Sequence, residues 1–181
     1  MIGKWKFIKR DTLLDHHRMK IVEDSVLLPT GEITSYIREA PVSYSSVTVI
    51  AINDKDEILV QKEYSYPPDE ILYQLPGGKM GTDEDIIDAA NRELSEESGY
   101  MATKSIILGS FYVNNRRSDA KQYVVVCNDI KLQKSAEDEE EFIESLWLPY
   151  IAIKNLIRDG KIVNMNMLAA LQLFDTSRIT N

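Results

Sequence analysis

Cysteine is almost absent from this sequence. The single residue, Cys127, lies in the apolar run QYVVVCND, so the chain cannot form an internal disulfide bond. We interpret Cys127 as a small buried strand residue, because free cysteine is among the most buried residue types. A chain without disulfides fits a reducing compartment. A serine or cysteine nucleophile is not expected, because Cys127 has apolar neighbours and the sequence contains no G-x-S-x-G elbow.

Long apolar runs are also missing. None approaches the roughly 20 residues that a membrane-spanning helix needs, and the start, MIGKWKFIKRDTLLDHH, lacks the apolar segment of a secretion signal. We therefore expect a cytoplasmic protein with no membrane partner.

Histidine is scarce as well, since His16 and His17 are the only two. Their scarcity argues against zinc chemistry.

Positive charge is the third deficit. Lysine and arginine number 21 against 29 aspartate and glutamate residues, which gives a net charge of -8. Nucleic acids and anionic membranes are held mainly by clustered lysine and arginine, so neither is expected as a partner. An anionic small molecule would need a bridging cation. The 181 residues, 44% of them hydrophobic, are enough for one compact core.

The order of apolar patterns predicts a strand-rich chain with one central helix and a helical tail. Residues 1–42 hold three strand-like segments, which predict a small N-terminal antiparallel β region. SSVTVIAIN and ILVQKEYSY flank the polar turn NDKDE and predict a β-hairpin. From Asp83, apolar residues at helical spacing predict a helix that ends at Gly99. Further strands follow, and IAIKNLIRDG and NMNMLAALQLF predict two final helices.

The helix before Gly99 crowds acidic side chains onto one face. Residues three and four apart share a helix face, so Glu93, Glu96 and Glu97 project from one side. Their repulsion weakens the helix unless something positive lies among them. Carboxylates without histidine or cysteine suit a hard ion such as Mg²⁺ or Mn²⁺. The alternative is a solvated acidic face, which is what charge runs usually are.

Spacing decides between these two interpretations. Residues 78–100 fit G-x5-E-x7-R-E-U-x-E-E-x-G-U, where U is a bulky apolar residue and Tyr100 takes the last position. The fixed positions are Gly78, Glu84, Arg92, Glu93, Leu94, Glu96, Glu97 and Gly99. This pattern resembles the Nudix box. The resemblance implies an α/β fold, a Nudix-type α/β/α sandwich with a mixed sheet over residues 43–181, that cleaves a nucleoside diphosphate linked to a further group.

The resemblance also implies a role for each position of the box. Metal ligands would be Glu93 and Glu97, assisted by Glu96 and completed by the carbonyl of Gly77, and the supporting residues would be Glu84 and Arg92. The cofactor would be Mg²⁺ or Mn²⁺. A guanidinium beside several carboxylates also makes physical sense, because it orients them and reduces their repulsion. Metal ions neutralise charge on a leaving phosphate and lower the pKa of bound water.

The segments around the box resemble the branch that hydrolyses ADP-ribose and nucleoside diphosphate sugars. These segments are the N-terminal strands, the run ILVQKEYSYPPDEILYQLPGGK and the helical tail. In that branch the N-terminal strands form a dimer with the substrate between subunits, so we expect a homodimer in which residues 1–42 contact the base. The catalytic base would come from the acidic loop SAEDEEEFIES, with Glu139 favoured, then Glu141 and Glu140. A solvated disordered run is the alternative for this loop.

Substrate contacts outside the box are less defined. Trp5 and Phe7 alternate along the first strand, where they could stack on a nucleobase or pack in a core. Arg116 and Arg117 could hold a phosphate or sugar acid in a forked contact, or be solvated. The chain departs from the branch at three positions, which are Ser65 for an arginine, Gln74 for the glutamate of Glu-Leu-Pro and Asn115 for a proline. We therefore expect ADP-ribose or a related nucleoside diphosphate sugar as the substrate.

Two rival functions use the same fold. An oxidised nucleoside triphosphate or a dinucleotide could be the substrate, but enzymes of that kind often lack strands like those of residues 1–42. A non-catalytic nucleotide-sensing module would carry a degenerate box. Arg92, Glu93, Glu96 and Glu97 are all present, so the catalytic interpretation is favoured.

Overall fold

A computed structural model describes residues 2–40, 45–133 and 143–179. The strands are β1 (Lys6–His16), β2 (Met19–Leu27), β3 (Ile33–Glu39), β4 (Ser46–Ala51), β5 (Glu57–Ser65), β6 (Glu70–Gln74), β7 (Tyr100–Tyr112), β8 (Lys121–Leu132) and β9 (Ile143–Pro149). The helices are α1 (Ile86–Ser98), α2 (Tyr150–Arg158) and α3 (Met165–Ile179). The chain forms two compact units, one of Met1–Ser43 with Tyr112–Ala120 and one of Tyr44–Phe111 with Lys121–Asn181.

The first unit is built on a three-stranded antiparallel sheet in the order β1-β2-β3, which confirms the predicted N-terminal β region. Its middle strand buries Asp24 between two arginines. Arg10 donates to both carboxylate oxygens of Asp24, at 2.5 and 2.8 Å, and Arg38 Nε donates at 2.9 Å. These bonds, above all those from Arg10, lower the pKa of Asp24 to about 2 although burial opposes the shift.

The second unit contains two three-stranded sheets, β4-β8-β7 and β6-β5-β9. β4 and β8 pair in parallel, whereas β5 pairs antiparallel with both β6 and β9. The predicted hairpin of β4 and β5 is therefore wrong. Their ends are joined by the bridge between Ile52 and Ile58 and by a hydrogen bond from the N–H of Asn53 to the carbonyl of Glu57. The physical reason is burial. Every residue of β4 from Val47 to Ala51 is buried, which requires cover on both faces and is typical of parallel pairing rather than of a half-solvated hairpin.

Alternation along β4 and β5 divides the core of this unit into two layers. Val49 and Leu59 pack with residues of α1, whereas Ile50 and Val60 pack with residues of α2 and α3. Since successive strand residues point to opposite faces, α1 covers one side of the strands and the other two helices cover the opposite side. This arrangement is the predicted α/β/α sandwich. No described helix is long and apolar enough to cross a membrane.

α1 is delimited by side-chain and backbone caps. Asp85 precedes the first turn and its Oδ1 accepts hydrogen bonds from the backbone N–H groups of Ile87 and Asp88, at 2.8 and 3.4 Å. Gly99 ends the helix with a φ of 70°, and its N–H donates to the carbonyl of Ser95 at 2.9 Å. The predicted end at Gly99 is confirmed. The helix starts later than Asp83 because the cap is Asp85.

Candidate active site

The loop after β6 runs along β4 and is fixed to it by backbone hydrogen bonds. The N–H of Val49 donates to the carbonyl of Pro76 at 2.8 Å, and the N–H of Val47 donates to the carbonyl of Gly78 at 2.9 Å. The N–H of Met80 then donates to the carbonyl of Ser45 at 2.9 Å. These bonds hold the loop against a buried strand beside α1.

Two glycines allow this loop to approach both β4 and the carboxylates of α1. A Cβ atom at Gly78 would lie 2.6 Å from Oε2 of Glu93, closer than real Cβ atoms come to other atoms. At Gly77 the φ of 150° is one that side chains rarely adopt, and a Cβ there would overlap the carbonyl oxygen of Val47. The N–H of Gly77 donates to Oε2 of Glu97 at 3.0 Å. Absence of side chains therefore brings the loop backbone against two of the predicted metal ligands.

Arg92 connects the carboxylates of the box. Its Nε and Nη2 donate to the two oxygens of Glu84 at 2.8 and 3.0 Å. Its Nη1 donates to Oε1 of Glu93 and to Oε2 of Glu96, at 2.9 Å each, and Nη2 also reaches the carbonyl of Lys79 at 3.0 Å. The guanidinium thus orients three carboxylates and offsets their repulsion, which is the supporting role that the resemblance implies for Arg92.

The charges of this network shift two pKa values. Hydrogen bonds from Arg92, followed by a bond from the N–H of Gly81 at 2.6 Å, lower the pKa of Glu84 to about 2. The same contact with Glu84, with contributions from Glu93 and Glu96, raises the pKa of Arg92 above its ordinary value. Both groups therefore stay charged through the neutral range, so the ion pair beside the predicted metal ligands does not titrate there.

Glu93 is the buried member of the acidic face. Only 8% of its surface is exposed, whereas Glu96 on the next turn is exposed. Burial of a carboxylate costs free energy unless it is paired, so a residue that only solvates a helix would not be placed there. The interpretation of the whole face as solvated is therefore wrong at Glu93.

The atoms around Glu93 that could ligate a metal are carboxylate and backbone oxygens. These are the ligand types that a hard divalent ion prefers. Among the described residues, no group of three or more His, Cys, Asp or Glu side chains already has the geometry to hold a metal. One oxygen each of Glu93 and Glu96 is bonded to Arg92, and one of Glu97 to Gly77. Joint ligation would therefore require at least one carboxylate to turn.

The predicted substrate residues Trp5, Phe7, Arg116 and Arg117 belong to the first unit. Tyr36 brings three of them together, since its ring meets Trp5 edge-on at 5.8 Å and lies 5.7 Å from the guanidinium of Arg117, while its hydroxyl donates to the carbonyl of Arg116. Phe7 instead lies 5.4 Å from the guanidinium of Arg10. Trp5 and Phe7 are 51% and 60% exposed, so core packing does not explain them.

The remaining predicted residues lie elsewhere. Glu139, Glu140 and Glu141, the candidates for the catalytic base, fall outside the described residues.

Cys127 is fully buried as predicted. Its Sγ lies 3.3 Å from Oγ of Ser105, and burial raises the pKa of the thiol. A neutral, inaccessible thiol is a poor nucleophile, which agrees with a site built on carboxylates.

Sequence reasoning missed a group of neutral polar residues at the same loop. Gln122 on β8 and Asn166 on α3 line a cavity together with Gly77 and Gly78. No motif connects these residues, because they are distant in sequence. The run of apolar residues that starts at Tyr123 hides the buried Gln122 at its edge.

Comparison with known proteins identifies relatives of the whole chain. A methanol dehydrogenase activator of Bacillus methanolicus is 28% identical over 169 residues, and an ADP-ribose pyrophosphatase of Bacillus subtilis (strain 168) is 25% identical over 169 residues. Each alignment covers 92% of this chain and 90% of the relative. The crystal structure of an ADP compounds hydrolase shares the fold, with a TM-score of 0.89 at 22% identity over 97% of this chain and 95% of that one.

The model of the NUDIX domain family matches residues 43–171. The match includes the loop of Gly77 and Gly78, the helix that carries Arg92, Glu93, Glu96 and Glu97, and both sheets of the second unit. Sequence pattern, fold and family model therefore agree, and the chain belongs to the Nudix family.

Proposed function

We propose that the protein hydrolyses the diphosphate bond of ADP-ribose or a related nucleoside diphosphate sugar, releasing a nucleoside monophosphate and a sugar phosphate. The observation that carries this proposal is the buried Glu93, held between Arg92 and the backbone of Gly78. Membership of the Nudix family supports the reaction class. The substrate is supported by two relatives, one named ADP-ribose pyrophosphatase and the other ADP compounds hydrolase.

Nudix hydrolases use divalent metal ions, and Mg²⁺, or Mn²⁺ in its place, is the proposed ion here. Glu93 and Glu97 would hold it, with Glu96 and the carbonyl of Gly77 completing the site. A divalent ion bound there neutralises charge on the leaving phosphate and lowers the pKa of a bound water. Arg92 and Glu84 keep the ligand side chains in position through the hydrogen bonds described above.

The proposed general base is Glu139, with Glu141 and then Glu140 as the next candidates. All three belong to an acidic segment between β8 and β9. A glutamate can act as general base when its carboxylate comes within hydrogen-bond reach of the attacking water. A Glu139→Gln variant should lower kcat and leave metal affinity unchanged. An unchanged kcat would move the role to Glu141 or Glu140.

We also propose a cytoplasmic homodimer in which residues 1–42 contribute to the interface and to base recognition. The first unit exposes many apolar side chains, including those of Ile8, Leu13, Leu14, Ile33 and Ile37. Apolar patches of this kind mark interaction surfaces in soluble proteins. Trp5, Phe7, Arg116 and Arg117 are proposed to contact the substrate. Light scattering of the wild type and of a Leu13→Asp variant tests the dimer, because a charge in the interface should shift the mass to that of a monomer.

The central experiment compares Glu93→Gln with the wild type on a panel of substrates at fixed Mg²⁺. The panel contains ADP-ribose, ADP-glucose, UDP-glucose, GDP-mannose and 8-oxo-dGTP, with product detected by a coupled phosphatase. We expect the wild type to release nucleoside monophosphate from one of the sugar nucleotides. Glu93→Gln should lose most turnover and remain folded, because the change removes charge but little volume.

Asp88→Asn is the matched control, since Asp88 is an exposed acid in the first turn of the same helix. It should keep wild-type turnover. Near-wild-type activity of Glu93→Gln would reject the ligand assignment. Activity confined to 8-oxo-dGTP would reject the sugar-nucleotide substrate and leave the family assignment intact.

A further inference from the structure

A cavity of about 180 Å³ lies next to the carboxylate cluster in the second unit. Six polar uncharged side chains line it, and they are Ser46, Thr48, Gln74, Gln122, Asn164 and Asn166. A cavity holds a water from about 10 to 15 Å³ upwards, so this one has room for several. It can therefore take part of a small-molecule substrate.

The cavity and the carboxylates share one wall. Gly77 and Gly78 line the cavity, and the same two residues contact the carboxylates of Glu97 and Glu93. A diphosphate held at those carboxylates would therefore lie next to the cavity. The group attached to that diphosphate is the part of the substrate within reach of the polar side chains.

The lining has the chemistry of a hydroxyl-binding site. Lys79 is the single charged residue among the described lining residues, so little compensates the charge of a second phosphate group there. No aromatic residue is among them, so a nucleobase would lack a stacking partner. Amide and hydroxyl side chains, in contrast, both donate and accept hydrogen bonds, as sugar hydroxyls do.

Hydrogen bonds already hold much of this lining in place. Nε2 of Gln122, a residue that is 6% exposed, donates to Oγ1 of Thr48 at 2.8 Å. Oδ1 of Asn164 accepts from the N–H of Met167 at 3.0 Å and caps α3. Oδ1 of Asn166, in contrast, is enclosed and has no hydrogen-bond partner among the described residues. A buried amide oxygen without a partner is destabilising, and rotation of the Asn166 side chain, which lines the cavity, would let a donor there supply the missing bond.

We propose that this cavity binds the uncharged sugar of the substrate and that Asn166 is a residue that determines specificity for its hydroxyl groups. The inference rests on the proposed function, because it assigns one part of that substrate to one part of the site. It predicts discrimination between substrates that share the adenosine diphosphate part and differ in whether a sugar follows.

The test uses ADP-ribose and the methyl ester of ADP, which ends the diphosphate without a sugar. Affinities of the wild type, Asn166→Ala and Gln172→Ala are measured by calorimetry with Ca²⁺, a hard ion that takes oxygen ligands, under conditions in which no product forms, and kcat/KM is measured with Mg²⁺. Gln172 is an exposed amide on the same helix and serves as the matched control. Thermal unfolding checks that each variant is folded.

The wild type should prefer ADP-ribose. Asn166→Ala should lose about fivefold in affinity for ADP-ribose, equivalent to about 1 kcal/mol, and nothing for the methyl ester. Gln172→Ala should change neither affinity. If Asn166→Ala does not fold, Gln74→Met replaces it with the same expectation, because it keeps side-chain volume at another polar lining residue.

Three results would overturn the proposal. These are equal losses of both ligands in Asn166→Ala, no loss of either, and a wild type that binds the two ligands equally or not at all. Equal losses would mean that the cavity holds the adenosine part. Failure of the proposed function is distinguishable, because the wild type would then hydrolyse neither compound with Mg²⁺ while still showing the calorimetric preference.

Discussion

Replacing Gly78 by alanine separates catalysis from stability at this site. The new Cβ would lie 2.6 to 2.7 Å from the carboxylate atoms of Glu93. Non-bonded heavy atoms pack at about 3.5 Å or more, so the carboxylate must retreat by about 1 Å. If Glu93 is the proposed metal ligand, a displacement of that size costs about 100-fold in rate. We therefore expect kcat/KM of Gly78→Ala to fall by about two orders of magnitude.

The effect on stability should be small, because the clash falls on the far end of a flexible side chain. The retreat of Glu93 weakens its bond to Arg92, and a bond between charged groups contributes about 1.5 to 3 kcal/mol. Alanine also restricts the unfolded chain, which returns about 0.4 to 1 kcal/mol where the backbone is compatible. The free energy of unfolding should therefore fall by about 1 to 2 kcal/mol.

Gly77→Ala, in contrast, should cause a large loss in the free energy of unfolding. Its Cβ would overlap the backbone carbonyl of Val47, and no side chain can move to relieve that overlap. The loop would have to separate from β4, with loss of the bonds from Val47 to Gly78 and from Val49 to Pro76. Two backbone bonds at about 1 kcal/mol each and backbone strain of about 2 kcal/mol give a loss of about 4 kcal/mol in unfolding free energy.

Urea unfolding and steady-state kinetics on the same preparations measure both quantities. Gly109→Ala is the control, because the nearest atom to its Cβ among those considered would be Cδ1 of Leu173 at an ordinary 3.8 Å. It should be near wild type in both assays. A fully active Gly78→Ala would refute the reasoning, since it would mean that the position of Glu93 against the loop does not matter for turnover.

Two further predictions concern the charged networks. Arg92→Lys should lower the free energy of unfolding by about 2 kcal/mol and reduce turnover. An ammonium group cannot reproduce the forked contact with Glu84 while it also reaches the other carboxylates. A variant equal to wild type in urea unfolding and kinetics would contradict this prediction. Asp24 should stabilise the protein above its unfolded pKa of 3.8, by about 2 kcal/mol, and lose that contribution as the pH falls towards its folded pKa of about 2. The difference in unfolding free energy between wild type and Asp24→Asn should therefore narrow by about that amount between pH 6 and pH 2, and a constant difference would reject the depressed pKa.

The helix of the box illustrates how far sequence reasoning reaches. The spacing of its apolar residues and the glycine at its end predicted α1 and its termination, because helix periodicity and capping are local properties. The spacing of Arg92, Glu93, Glu96 and Glu97 indicated one charged face for the same reason. Burial of Glu93 was not evident, because it depends on a loop that enters from β6, outside the helix.

The predicted hairpin of β4 and β5 shows where reasoning from local sequence fails. Their sequences and the polar turn between them are compatible with a hairpin, and the local pattern offered no reason to choose otherwise. β8 is far along the chain, yet it pairs with β4 in parallel over Ser46–Ala51. Only the packing of helices on both faces favours this partner, and that packing is a property of the whole unit.

The sequence by itself indicated a hard divalent-metal site, and its resemblance to the Nudix box implied the reaction class, because both depend on residue types at fixed offsets along one helix and one loop. Tertiary structure decided which carboxylate is buried, how Arg92 divides its donors among three glutamates, and that Gln122 and Asn166 meet beside Gly77 and Gly78. The physical reason is distance along the chain. Contacts within a few residues follow from backbone periodicity, whereas contacts between remote strands and helices form only when burial of the shared core brings them together.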